Sequence, residues 1–135
     1  IKAILIMSAV GMNHFTVIAK NLTKTRDFYS EMLDLKVGYR PDLGFPGLWL
    51  YAGNQPILHI VSGRQAPDSP EGVLDHMAFT GKDINKIIKK LKTNKIDFSL
   101  KQQPETNIWQ LFFYDPNGAK VEIDFPALET PDIRK

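Results

Sequence analysis

The sequence predicts an α+β fold, with two βαβββ modules forming a curled mixed sheet around a shared cleft. Three observations predict it. One run of residues returns later in the chain, an amphipathic helix pattern follows each copy, and three strand candidates follow each helix.

The repeat begins at His14-Phe15-Thr16-Val17-Ile18-Ala19-Lys20-Asn21-Leu22 and returns at His76-Met77-Ala78-Phe79-Thr80-Gly81-Lys82-Asp83-Ile84. Histidine matches histidine, lysine matches lysine, and Asn21 matches Asp83, each at an N-cap position before a helix. The first helix is expected over about Thr23–Leu35, with Phe28, Met32 and Leu35 as its apolar stripe. The second is expected over about Asp83–Thr93, with Ile84, Ile87, Ile88 and Leu91. Strands are expected at Lys36–Arg40, Leu48–Tyr51 and Pro56–Val61, then at Asp97–Gln102, Ile108–Tyr114 and Ala119–Phe125. Gly53-Asn54 makes a hairpin turn, and Asp115-Pro116-Asn117-Gly118 has proline and glycine where a β-turn takes them. Gly63–Gly72 links the copies, so a single domain spans 1–135, with modules at about 12–62 and 74–125.

The bulk numbers suit one folded domain. The chain has 135 residues, 43% hydrophobic and 24% charged, with 17 basic against 15 acidic side chains. That near balance argues against a nucleic-acid partner, and the run Lys86, Lys89, Lys90, Lys92 and Lys95 reads as a solvated helix face. The absence of cysteine excludes disulfides, a thiolate nucleophile and any Cys-based metal site. Nothing asks for an oxidising compartment, so a cytoplasmic location is expected. The apolar run Ala3–Met7 falls far short of the roughly 20 residues that span a bilayer, and no membrane partner is expected. It reads as an extra edge strand or an oligomer contact rather than a targeting segment.

The candidate chemistry lies in the repeat. Three histidines occur, at 14, 59 and 76. His14 and His76 match one another, and aligning Tyr51 with Tyr114 places His59 on Glu122. Strand alternation sends all four to the cleft side, opposite Phe15 and Val17, Met77 and Phe79, and Val121, Ile123 and Phe125. A carboxylate facing imidazoles in a cleft is costly unless a cation compensates. Two histidines and a carboxylate are the facial set of many Fe(II) sites and also suit Mn, Ni, Co or Zn. His14, His76 and Glu122 are therefore the expected ligands of one divalent ion (Fe2+, Mn2+, Ni2+, Co2+ or Zn2+), with His59 as a possible fourth. Asp124 reads as a solvated residue at a hairpin end. Trp49, Tyr51, Trp109, Leu111 and Phe113 are candidate walls of a substrate pocket, against a competing reading as plain core. Arg40 and Arg64 are candidate holders of a substrate carboxylate, against a competing reading as surface arginines.

From Asn13 to Phe125 the chain resembles the vicinal oxygen chelate superfamily, which includes glyoxalase I, extradiol dioxygenases and bleomycin-resistance proteins. The matching pieces are Asn13-His14-Phe15-Thr16, the helix run Arg26–Leu35, Asp75-His76-Met77-Ala78-Phe79 and Tyr114–Glu122. The resemblance implies ligands on the first, fourth, fifth and eighth strands, which are His14, His59, His76 and Glu122. It implies Glu122 as the catalytic proton carrier and, through likeness to fosfomycin enzymes, Thr16 beside the substrate. It implies a small-molecule substrate chelated through adjacent oxygens for lyase or isomerase chemistry. Extradiol Fe(II) dioxygenase activity and non-catalytic binding of a drug or aromatic ligand are the alternatives. A homodimer is the expected assembly, and the cleft closes either within one chain or across two. Glyoxalase I differs at the fourth strand, where it usually has Glu in place of His59, and it has an Arg where Ile18 stands.

Overall fold

The structure, a computed structural model, describes residues 11–72 and 74–134. The Ala3–Met7 run lies outside them. The elements are β1 (Phe15–Ile18), α1 (Leu22–Leu33), β2 (Lys36–Gly38), β3 (Gly47–Ala52), β4 (Gln55–Val61), β5 (Met77–Thr80), α2 (Ile84–Thr93), β6 (Phe98–Gln102), β7 (Trp109–Tyr114) and β8 (Lys120–Phe125). The two βαβββ modules are both present. Each forms a four-stranded mixed sheet, ordered β1-β4-β3-β2 and β5-β8-β7-β6. In each, the first strand runs parallel to the last and the remaining pairs are antiparallel. The parallel pairing is possible because a helix and two strands lie between its members in sequence.

The sheets do not close into one curled sheet around a cleft. They share a core on their helix sides. Tyr29, Met32 and Leu35 from the α1 region join Leu50, Leu58 and Ile60 of the first sheet. The same cluster contains Leu111, Phe113, Val121 and Ile123 of the second sheet and Ile84, Ile88 and Leu91 of α2. The Phe28 ring lies 5.9 Å from Phe113, bringing the first module's helix onto the second module's sheet. Burying this one continuous apolar surface is the main stabilising contribution. Because side chains alternate along a strand, it turns the opposite face of each sheet away from the core.

Local chemistry sets the helix ends. Asn21 caps α1 by accepting the backbone N–H of Lys24 at 2.9 Å. At the other end Asp34 takes the left-handed conformation, φ 56°. Its carboxylate receives Lys86 Nζ at 3.0 Å and Lys90 Nζ at 3.2 Å, while Lys90 also donates to the carbonyl of Glu31. The lysine run is therefore not simply a solvated face, since two of its members close the C-terminus of α1, where cations are favoured. Met32 and Leu35 of the expected stripe are buried, while Phe28 is only partly so. Thr25 and Tyr29 are fully buried beside them, and Tyr29 has a polar partner inside.

Asp83 precedes α2 but makes no side-chain cap. Glu129, beyond the last strand, accepts the N–H of Ile84 at 2.7 Å instead. Replacing Glu129 with alanine is expected to cost about 0.5–2 kcal/mol, the usual range for a lost cap. Replacing Asp83 with glycine should cost little or nothing, since φ is already 61° there. Urea unfolding of both variants checks the pair. Among the described residues, no helix is long and apolar enough to cross a membrane.

Candidate functional site

The first sheet presents one half of the candidate site. Thr16 pairs with His59, and His59 with Trp49, so all three share the face opposite the core. The His14 and His59 rings stack at 3.7 Å and 12° between planes, and Trp49 stacks on His59 at 4.0 Å and 10°. His14 Nδ1 lies 2.6 Å from Asn13 Oδ1. A side-chain oxygen there only accepts, so Nδ1 donates and Nε2 is the nitrogen turned toward a ligand. His59 Nε2 is buried without a hydrogen-bond partner. Burial lowers the pKa of His59 most, followed by the neighbouring His14; Arg40 lowers it further and the Pro56 backbone works the other way. The ring is therefore neutral near pH 7, the form that binds metals.

The second sheet presents the other half. Ala78 pairs with Glu122, and Glu122 with Phe112, so His76, Glu122 and Phe112 share a face. His76 Nε2 meets Glu122 Oε2 at 2.7 Å. Its Nδ1 meets Asp75 Oδ2, also at 2.7 Å. Asn13 and Asp75 are matched positions of the repeat, so both modules orient their first histidine in the same way, from the residue before it. Glu122 is buried, and Gln110 Nε2 donates to its Oε1 at 2.8 Å. Asp124, one pleat along, is not a solvated hairpin-end residue. Its Oδ1 is buried without a partner. Burial, then the hydrogen bond and charge of Glu122, push its pKa up to about 6. Phe112 lies edge-on to His76 at 6.2 Å, with Lys120 and Lys101 over its face at 5.1 and 5.3 Å.

The four expected ligands thus fall into two pairs, His14 with His59 and His76 with Glu122. Among the described residues, no group of three or more His, Asp, Glu or Cys gathers where one ion could be held. The shared core explains the separation, since it carries both ligand faces outward. A cleft of about 410 Å³ lies between the modules, lined by Thr16 and Ile18 of β1, Asp75 and His76 before β5, and Asn117 and Lys120. It reaches His76 and none of the other three.

The expected pocket walls divide. Trp49 lies at the site, against His59. Tyr51 shares its face, with its ring over Gly38 and its hydroxyl donating to the carbonyl of Tyr39 at 2.6 Å. Trp109 and Phe113 are corrected. They pair with Phe125 and Val121 and so point to the core side. Phe113 is fully buried against Phe28, and Trp109 Nε1 donates to the carbonyl of Glu129 at 2.9 Å. Leu111 is buried with them. The residues that share Glu122's face are Gln110 and Phe112, which sequence reasoning missed. Their signal was available: a turn at Asp115–Gly118 places Tyr114 opposite Lys120, and hence Phe112 opposite Glu122. Arg40 lies in the β2–β3 loop and reaches across it, its Nη2 donating to the carbonyl of Phe45 at 3.0 Å.

Comparison with known proteins agrees with this architecture. Residues 11–123 match the profile of the Glyoxalase/Bleomycin resistance protein/Dioxygenase superfamily. The chain is 28% identical over 121 residues to "Glyoxylase I 4" of Arabidopsis thaliana, covering 84% of this chain and 69% of that protein. A glyoxalase family protein from Enterococcus faecalis superposes with a TM-score of 0.66 at 29% identity, covering 87% of this chain and 99% of the other. A variant of the fosfomycin resistance protein FosX from Listeria monocytogenes, complexed with Mn(II) and 1S,2S-dihydroxypropylphosphonic acid, shares the fold. Its TM-score is 0.71 at 17% identity, covering 89% and 95% of the two chains. The matched profile spans both modules and every candidate ligand, and the chain belongs to the glyoxalase/bleomycin resistance protein/dioxygenase superfamily.

Proposed function

We propose that this chain is a metal-dependent enzyme that chelates a small, oxygen-rich substrate at one divalent ion for lyase or isomerase chemistry. We further propose that two copies complete each centre, His14 and His59 coming from one and His76 and Glu122 from the other. The observation that carries the reading is the repeated arrangement around the first histidine of each module. In both, Nδ1 is held by the side-chain oxygen of the preceding residue, 2.6 Å away for Asn13 and 2.7 Å for Asp75. That is the outer partner that metal-binding imidazoles ordinarily have. The outward-turned, separated half-sites support a site shared between copies in a closed twofold dimer.

The donors present fit such an ion. Three imidazoles and a carboxylate suit Fe2+, Mn2+, Ni2+, Co2+ or Zn2+, and the buried, unpartnered Nε2 of His59 is a donor atom without another use. When bound, the ion supplies a Lewis acid for two adjacent substrate oxygens. The chain's own residues supply the rest. Gln110 occupies Oε1 of Glu122, leaving Oε2 as the oxygen able to hold or move a proton. Asp75 orients the His76 ring from its far side. Trp49 and Phe112 offer apolar walls to a small substrate, one from each half-site.

Elemental analysis of tag-free protein prepared without chelators tests the reading. About one divalent ion per chain is expected, given one complete ligand set per chain in a twofold dimer. Protein that holds none, even after incubation with Mn2+, Ni2+, Zn2+ and Fe2+, overturns it. Iron together with oxygen uptake on catechols would replace the lyase or isomerase reading with a dioxygenase.

A further inference from the structure

We infer that the substrate carries a carboxylate, and that Arg40, with Arg64 beside it, receives that group next to the His59–Trp49 stack. The inference deepens the proposed function and rests on it for the identity of the site, but its chemistry is separate from the metal. The Arg40 guanidinium lies 5.0 Å from the centre of the Phe45 ring, and that of Arg64 lies 5.5 Å from the same ring. Two cations thus share one phenyl group, and neither forms an ion pair among the described residues. By contrast Arg26 and Arg134 each have an aspartate.

The position of Arg40 is built into the backbone. Gly47 lies two residues before Trp49 on β3, so any side chain there would project from the same face as Trp49 and His59. A Cβ on Gly47 would collide first with the carbonyl oxygen of Ile60 and would lie 3.0 Å from Arg40 Nη2. Backbone packing keeps this position bare, and the guanidinium lies against it. Arg40 Nε is buried and has no acceptor, so the charge is held here without being neutralised. Like charges brought together on the rim of an apolar face are an unfavourable arrangement for the empty protein. An anion relieves it. The planar guanidinium fork matches a carboxylate in shape as well as charge. With Trp49 and Phe45 alongside, a carboxylate attached to an aryl or other flat apolar group fits best.

Phenylacetate and its neutral counterpart phenylacetamide separate charge from shape. Both are titrated into metal-free protein, and binding is followed through the ring signals of Trp49 and His59 in NMR. Phenylacetate is expected to bind at least about tenfold tighter, as charge-assisted hydrogen bonds predict. That advantage should shrink to within about twofold in Arg40→Gln. In the unmodified protein it should also narrow when salt rises from about 0.01 to about 0.3 M, which tests the same point without a variant. Equal affinity for the two probes overturns the inference, as does an advantage unchanged in Arg40→Gln or insensitive to salt. Metal content, measured on the same preparations, reports on the proposed function independently. Protein that binds metal without preferring the carboxylate sinks only the present inference.

Discussion

Replacing His76 with alanine is expected to abolish stoichiometric metal binding, weakening affinity by more than about 100-fold. Losing even an outer partner of a ligand costs about 10- to 100-fold. His76 sits at the centre of its half-site, held by Asp75 at 2.7 Å on one nitrogen and facing Glu122 at 2.7 Å on the other. Its loss removes a ligand and also leaves the buried Glu122 carboxylate without its imidazole. His59→Ala should weaken binding less, by about tenfold, since two imidazoles and a carboxylate remain and suffice for a facial site. Asp75→Ala should fall between them, about 10- to 100-fold, by freeing the His76 ring to rotate. Calorimetric titration with Mn2+ measures all three. Equal and complete loss in His76→Ala and His59→Ala would show that the ligands are ranked wrongly.

The largest expected loss of stability comes from Asp115, at the β7–β8 turn. Its carboxylate is buried and gathers donors from both modules. Oδ1 accepts the backbone N–H groups of Asn117 and Ala119, each at 2.8 Å, and Oδ2 accepts the Tyr29 hydroxyl of α1 at 2.8 Å. Burial, followed by this carboxylate, pushes the Tyr29 pKa far above its ordinary value, so the hydroxyl stays protonated and keeps donating. Asn117 adds a second tie, accepting the N–H of Lys20 at 3.0 Å and donating to Thr25 Oγ1 at 3.0 Å. Asp115→Ala strands the buried Tyr29 hydroxyl and two half-buried backbone N–H groups and should cost about 3–5 kcal/mol. Tyr29→Phe leaves Oδ2 without its closest donor, while Oδ1 keeps both backbone N–H groups, and should cost about 1–3 kcal/mol. The double variant should cost less than the sum of the two, because each single change strands the partner that the other removes. Urea unfolding gives all three values, and an Asp115→Ala cost below about 1 kcal/mol would mean the turn does not fasten the modules.

What could be read from the sequence followed from period and repetition. The βαβββ order, the matched histidines and the facing of Glu122 away from Val121 and Ile123 all come from strand alternation, which needs no knowledge of tertiary packing. The errors came where packing decides. Trp109 and Phe113 looked as suited to a pocket wall as to a core, and only register, which pairs Phe112 and not Phe113 with Glu122, separates the two. Asp83 looked like a cap, yet Glu129 supplies it from beyond the last strand. Tyr29 was passed over beside Phe28 because its partner, Asp115, lies in the other module. The separation of the ligands into two pairs was not legible. It follows from the core that the two modules share, in which Phe28 meets Phe113, and no periodicity encodes such contacts.

The sharing of one metal centre between two copies is tested most directly by complementation. One chain carries His14→Ala and His59→Ala, and the other carries His76→Ala and Glu122→Ala. Each alone should hold no stoichiometric metal. Dimers containing one of each should regain half the wild-type content, because one of their two centres then has all its ligands. Mixed dimers as empty as their parents would mean that all four side chains must lie on the same chain, and would contradict the account.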